Sequence, residues 1–176
     1  MMPRGTRLGT ARVTLPSDRE ILIRRTFDVP RTLVFEAWTT PSLVRRWWGD
    51  PTAPLVVCDI DLRVGGAWCY STAVAGGVGL TWHGTYLEVD PPHRLRCTEI
   101  FGDDADDVAE TTLTLVEHDG TTECAIGVRH TSQANRDQHL ASGMEQGLQR
   151  SLDRIDALLA QHPDPTDTTL QEVIDE

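Results

Sequence analysis

In the run Leu95-Arg96-Cys97-Thr98-Glu99-Ile100-Phe101, a carboxylate shares its parity with a leucine, a cysteine and a phenylalanine. Successive side chains of a strand point to opposite faces, so Glu99 is expected on the apolar face. A carboxyl there has a raised pKa, or a cationic or hydrogen-bonding partner. It could serve as a general acid or base, or anchor a polar atom of a ligand. The structural alternatives are an ion pair with Arg25, which shares the parity of Ile21, Ile23 and Phe27, or exposure at a sheet end. His130 continues the apolar parity of Cys124, Ile126 and Val128 and is placed inward, where it could polarise a carbonyl or shuttle a proton. A capping or partly solvated histidine at an element boundary is the plainer reading. Tyr70, on one face with Trp68, completes the set of proton-moving candidates. His83 has the opposite parity to Trp82 and is assigned to the outer face or behind the site.

The same alternation collects apolar and aromatic side chains that could line a cavity. Trp68 and Tyr70 share a face, as do Leu80, Trp82, Gly84 and Tyr86. With Glu99, Phe101, Leu113, Ile126 and Val128 from the strands, and Met144 and Leu148 from a helix, they form the expected ligand-binding set. An aromatic wall of this kind stacks on a flat ligand or forms ordinary core. Of Trp47 and Trp48, one is expected beneath a helix and the other near a cavity mouth. Gly143 and Gly147, four apart, suit close helix packing or room for a ligand, and packing is the preferred reading.

Other chemistries are excluded. All 16 cations are arginine, which removes lysine nucleophiles and Schiff bases. Ser142 and Glu145 have no histidine at triad spacing, so a Ser-His-Asp hydrolase is unsupported. Val74-Ala75-Gly76-Gly77-Val78-Gly79 joins two strands and is no phosphate cradle. Cys58, Cys69, Cys97 and Cys124 form no C-x-x-C pair and read as small hydrophobes, so neither a metal nor a cofactor is expected.

The net charge of −11 is concentrated. Five acids lie between Asp103 and Glu110 and five more between Asp164 and Glu176; setting those ten aside leaves 17 acids against 16 cations. Such a balance argues against nucleic acid, which demands a basic face. With 39% hydrophobic residues, the 176-residue chain can bury a core. No run approaches the roughly 20 apolar residues of a membrane-spanning helix, and the N-terminus lacks the apolar centre of a secretory signal. A cytoplasmic protein without membrane insertion is expected.

The elements that must hold these residues are legible from periodicity. Glu20–Val29 reads as a strand, followed by two short helices from Pro30 and from Pro41, the second stopping at Gly49. Six strands follow: Leu55–Val64, with Val56, Cys58, Ile60 and Leu62 on one face; Ala67–Thr72; Gly79–Val89; His93–Phe101; Thr111–Glu117; and Thr122–His130. His118-Asp119-Gly120 marks a hairpin turn. Residues 133–161 read as one long helix with Leu140, Met144, Leu148, Leu152, Ile155 and Leu159 along a stripe. Consecutive strands with short turns give an antiparallel sheet, and a lone amphipathic helix must bury its stripe against it. The expected fold is α+β, a curved antiparallel sheet wrapped around a long C-terminal helix. Residues 1–17 are expected to be a flexible, removable N-terminal arm, 18–161 the domain, and 162–176 an acidic disordered tail.

Short motifs in this order resemble a known group. Arg25-Thr26-Phe27-Asp28-Val29-Pro30, Val34-Phe35-Glu36-Ala37-Trp38-Thr39, Arg46-Trp47-Trp48-Gly49, Asp61-Leu62-Arg63-Val64-Gly65-Gly66, His83-Gly84-Thr85-Tyr86, Val89-Asp90-Pro91-Pro92-His93-Arg94-Leu95 and Ser142-Gly143-Met144-Glu145-Gln146-Gly147 are similar to the START-like SRPBCC superfamily. The branch is that related to the C-terminal domain of the heat-shock-chaperone ATPase activator. The resemblance implies a helix-grip fold with a hydrophobic ligand cavity. Its members include lipid carriers, aromatic polyketide cyclases, stress-response proteins and many bacterial proteins. No shared catalytic set comes with it, since one fold hosts many activities.

Three functions are therefore weighed. The leading one is binding of a hydrophobic, aromatic small molecule as a carrier, sensor or sequestration and resistance protein. The second is a polyketide cyclase or dehydratase-like enzyme of secondary metabolism, in which Glu99, His130 or Tyr70 moves protons. The third is a chaperone-activator-like protein contact, weakened because that domain co-operates with a separate N-terminal one. A homodimer is left open.

Overall fold

The computed structural model describes residues 9–161. Eight strands and four helices follow in the order β1 (Arg12–Thr14), β2 (Glu20–Phe27), α1 (Arg31–Thr39), α2 (Pro41–Trp47), β3 (Leu55–Ile60), β4 (Ala67–Val74), β5 (Gly77–Asp90), β6 (Arg94–Phe101), β7 (Ala109–His118), β8 (Thr121–Arg129), α3 (Gln133–Ala141) and α4 (Met144–Ala160). All strands join one curved antiparallel sheet of order β1-β2-β8-β7-β6-β5-β4-β3. β2 pairs with β8, the last strand, and α1 and α2 fill the connection from β2 to β3.

The β7–β8 hairpin forms where expected, with His118 paired to Thr121 and both Asp119 and Gly120 at positive φ. That is the conformation a two-residue turn needs to match the strand twist. Gly84 answers a different demand: a β-carbon there would strike the Thr98 carbonyl and the Trp68 indole. The indole instead donates from Nε1 to the Thr98 carbonyl at 3.1 Å, which fixes the ring over β5.

Three expectations are corrected. The arm expected over residues 1–17 contributes β1, whose Val13 pairs with Ile23 of β2. Ala11 is tied to α4 as well, through Gln149, which accepts from the Ala11 amide at 3.0 Å and donates to its carbonyl at 2.6 Å. Residues 1–8, the rest of that arm, and the expected tail at 162–176 lie outside the described residues. On β3, an irregularity between Leu55 and Val57 shifts the register, so Leu55 is buried and Val56 is exposed, against strict alternation.

The long helix is two helices. α3 ends at Ser142, whose hydroxyl donates to the His139 carbonyl, and Gly143 takes φ +81° before α4 begins. Glycine adopts that conformation at no steric cost and is also a poor helix former, so the break falls there. The expected stripe divides accordingly. Leu152 and Ile155 are fully buried, whereas Leu140, Met144 and Leu148 are only partly buried. Neither Gly143 nor Gly147 has anything within 4 Å of a notional β-carbon, so close packing does not explain them.

The lower part of α4 is bolted down. Arg25 of β2 is buried and reaches Asp153 at 2.7 Å and Asp156 at 3.5 Å. The expected pairing of Arg25 with Glu99 is thereby replaced, because α4 crosses β2 and brings its own carboxylates to that spot. On the other flank, Arg154 donates to the carbonyls of Trp47 and Gly49 and ties α4 to the end of α2.

Candidate functional site

One face of β6 supplies a continuous wall. Leu95 and Cys97 lie over a small pocket of about 70 Å³, Phe101 lies over a larger cavity of about 400 Å³, and Glu99 between them lines both. The neighbouring strand β5 runs in step: Tyr86 pairs with Cys97 over the small pocket, and Trp82 pairs with Phe101 over the large one.

The inner pocket is aromatic. Trp38 from α1, Trp47 and Trp48 from the end of α2, Trp68 and Tyr70 from β4, and Tyr86 surround it, with Leu113 and Thr111 from β7. The rings pack in tilted and edge-on pairs 4.8–5.6 Å apart, among them Trp38–Trp47, Trp47–Trp48, Trp48–Tyr70 and Trp68–Tyr70. Such offsets suit ring quadrupoles and fill space well. Trp47 is buried beneath the helices and donates from Nε1 to the Ala37 carbonyl at 2.7 Å, while Trp48 reaches toward the outer cavity, edge-on to Trp82 at 5.9 Å. The expected division of labour between these two tryptophans is what the structure contains. Burial pushes the Tyr70 phenol well above its ordinary value, with smaller contributions from Tyr86, Cys58, Cys97 and Glu99, so Tyr70 stays protonated at neutral pH.

The outer cavity has two characters. Leu80, Trp82, Phe101 and Met144 form its apolar side; Asp104, Asp107, His130, Asn135, Gln138 and His139 form its polar side. Leu80 is 54% exposed and Phe101 50%, so two large apolar side chains stand on this wall with much of their surface still in water. Met144, at the helix break, is the rim on the α4 side.

Glu99 sits where the two characters meet. Desolvation is the main cause that pushes its carboxyl up to about 7; the charge of Asp107 adds to this, and the Thr111 hydroxyl opposes it. Among the described residues it has no ion-pair partner. The Thr111 hydroxyl, on the inner-pocket side, is the polar group set against this carboxyl, which faces the space between the pockets.

His130 is inward, as the parity of β8 requires, and it is not alone. Its Nδ1 lies 2.8 Å from Asp107 and its Nε2 lies 3.0 Å from His139 Nδ1. Burial raises the Asp107 carboxyl, but hydrogen bonds from His130 and from the Thr131 amide and hydroxyl outweigh it and hold the group below its ordinary value. Burial pushes His139 down to about 4, with the His130 ring adding to the effect and Asp107 opposing it, so His139 is neutral at pH 7. With His130 Nδ1–H donating to Asp107, a single proton between His130 Nε2 and His139 Nδ1 links the two rings, and His139 Nε2 is the end of the chain at the cavity. The chain can pass a proton from the cavity toward Asp107. Among the described residues no three histidine, cysteine or acidic side chains converge as metal ligands do.

The expected ligand set is thus distributed over two sites. Trp68, Tyr70, Tyr86, Leu113 and Glu99 line the inner pocket; Trp82, Phe101, Met144, His130 and Glu99 line the outer cavity. Ile126, Val128 and Leu148 line neither: Ile126 and Val128 are buried in the core and Leu148 packs against it. His83 donates to the Gly102 carbonyl at 3.0 Å, a structural contact behind the site. Asp107 and His139 are the residues that strand parity could not supply, since one lies in a loop and the other on a helix. The spacing of His130 and His139, with Ser132 as a helix cap between them, was the available signal.

An antiparallel sheet closed by a C-terminal helical arm, with a cavity held between them, is a helix-grip fold of the START-like SRPBCC class. Within that class, the chain belongs to the family of activator of Hsp90 ATPase homolog 1-like proteins, whose model matches residues 28–160. No curated protein matches the sequence. Among solved structures, a protein from Rhodobacter sphaeroides is similar at 24% identity and TM-score 0.79, over 86% of this chain and 99% of the other. A protein from Mycobacterium smegmatis is similar at 28% identity and TM-score 0.75, over 85% and 97%. An HSP90 activator from Plasmodium falciparum shares the fold at 19% identity and TM-score 0.61, over 80% and 96%.

Proposed function

We propose that this protein binds a small molecule with a hydrophobic, aromatic body in the outer cavity, as a carrier, sensor or sequestering protein. The observation that carries this reading is the cavity of about 400 Å³ whose wall holds Leu80, Trp82 and Phe101, large apolar side chains partly in water. Its size is within the range of small-molecule sites, and its make-up, apolar with a few convergent polar groups, matches theirs. A flat ligand stacking on Trp82 and Phe101 removes apolar surface from water, and Glu99 and the His130–His139 pair fix its polar end. Native mass spectrometry after incubation with a metabolite extract tests this. A retained small molecule that elutes with unchanged mass is the expected result; finding the protein unliganded across extracts would overturn it.

A second reading has its own support in the Asp107–His130–His139 chain beside Glu99. Under it the cavity belongs to a cyclase- or dehydratase-like enzyme in which Glu99 and His139 Nε2 exchange protons with an enolisable substrate. The same experiment separates the two when retention time is read beside mass, because a dehydratase returns the molecule with its mass lowered by water and a cyclase returns an isomer of shifted retention. A chaperone-directed role, which the family's name suggests, predicts that the protein accelerates ATP hydrolysis by Hsp90; no acceleration is expected from a cavity-binding protein.

A further inference from the structure

Resting on the ligand-binding reading above, we propose that the outer cavity selects cationic aromatic molecules: an apolar ring system carrying a protonated amine, with the ammonium seated against Glu99. The electrostatic make-up of the cavity points there. Glu99, Asp104 and Asp107 contribute carboxylates, and no arginine stands among the residues that line it. Three arginines of neighbouring strands and of α3 are engaged elsewhere. Arg96 lies between Glu88 and Glu110, Arg136 contacts Asp137 and the Ser17 carbonyl, and Arg25 is held by Asp153 and Asp156. His139 is uncharged at neutral pH and supplies no compensation.

The three acids differ in what they have left to offer. Asp107 already accepts from His130 and from Thr131, and Asp104 accepts the Asp106 amide at 3.1 Å. Glu99 has no ion-pair partner among the described residues, faces the cavity, and has the Thr111 hydroxyl as its polar neighbour on the inner-pocket side. A buried carboxyl in that state is stabilised by a cation that brings its own hydrogen-bond donors. The apolar side reinforces the choice. Trp82 and Phe101, 5.4 Å apart, offer ring faces to an aromatic body and can hold an adjacent cation by its attraction to the rings. A carboxylate or enolate ligand would instead meet Glu99, Asp104 and Asp107 with no arginine among the lining residues, which costs both desolvation and repulsion.

Three matched probes test this: 2-(1-naphthyl)ethylamine, 1-naphthaleneethanol and 1-naphthylacetic acid, which share a ring and differ in charge. Each is titrated into the full chain at pH 7 and followed by amide chemical shifts in NMR, which locate the site as well as measure affinity. The amine is expected to bind on the order of tenfold tighter than the alcohol, with the acid weakest, since a charged hydrogen bond is worth about that factor. Glu99→Gln is expected to bring the amine down to the range of the alcohol's affinity, and the dispersion of the variant's amide spectrum reports that it is folded. Equal affinities for amine, alcohol and acid in the wild-type protein overturn the cationic preference and leave the cavity reading standing. If none of the three gives saturable shifts at cavity residues, the cavity reading fails and the preference with it. The wild-type comparison decides the matter even if the variant does not fold.

Discussion

The inner pocket and the outer cavity share one face of β5 and β6, yet one is filled and the other is open. At the inner end, six large aromatic side chains from α1, the end of α2, β4 and β5 close around about 70 Å³. There α4 is held to β2 by Arg25 and to α2 by Arg154. At the outer end the helical arm breaks at Gly143, and about 400 Å³ is left beneath Met144 and α3. The difference lies in the helices above the sheet, because the strand face itself is apolar along its whole length apart from Glu99. A sheet of uniform character thus serves as core where helices press on it and walls an open cavity where they do not. On the proposed function, the inner end sets stability and the outer end sets recognition.

The largest effect should come from the inner end. Trp47→Ala removes a buried ring and its bond to Ala37, and a loss of about 3–5 kcal/mol in urea unfolding is expected. A loss below 1 kcal/mol would mean that the inner end is not the stabilising one. Next is the clamp on α4. Arg25→Met leaves Asp153 and Asp156 facing an apolar side chain and should cost about 3 kcal/mol, less than a fully buried pair because Asp153 and Asp156 are partly exposed. If Arg25→Met is neutral, packing of Leu152 and Ile155 alone holds the helix.

The boundary between the ends can be read by pH. The Glu99 carboxyl is raised to about 7 in the folded protein, so its contribution to stability is full below its ordinary value of 4.5 and is lost as pH rises through about 7. Glu99→Gln should therefore gain on the wild type across that window, reaching about 3 kcal/mol by pH 8. His139 acts with the opposite sign. Its folded pKa is depressed to about 4, so its contribution is present above 6.5 and is lost as pH falls through 4. His139→Asn should gain on the wild type as pH drops over that range. Unfolding free energies measured at one-unit steps from pH 4 to 8 check both slopes, and parallel curves for variant and wild type would refute either assignment.

Smaller effects probe the edges. Deleting residues 1–14 removes β1 and its bonds to Gln149, and a loss of about 1–2 kcal/mol is expected from the few hydrogen bonds involved. No loss would restore the reading of this segment as a dispensable arm. Leu80→Ala and Phe101→Ala should change stability by less than about 1 kcal/mol each, because both side chains are half exposed. Each should still weaken 2-(1-naphthyl)ethylamine binding several-fold by the same NMR titration. A large fall in stability with unaltered binding would reverse the roles assigned to the two ends.

Local pattern determined strands β2 to β8, the two short helices, the β7–β8 turn and the inward placement of Glu99, Trp68, Tyr70 and His130, because alternation with period two is written directly in residue order; β1, three residues long, was too short to show it. The order of motifs also determined the helix-grip class. Only the tertiary structure decided who meets whom. Arg25 and Glu99 have matching parities, but parity is blind to the helix that crosses β2 and delivers Asp153 and Asp156. Asp107 and His139 reach His130 from a loop and a helix, neither of which has a two-residue period to read. The shift at Leu55–Val57 put Val56 in solvent, since one irregular residue reverses the faces of its neighbours. The break at Gly143 was visible as a glycine in a helical run, and such glycines are tolerated as often as they end a helix. It becomes a break because the space beneath Leu140 and Met144 gives that half of the stripe too little to pack on, and burial, rather than spacing, decides where a helix runs straight.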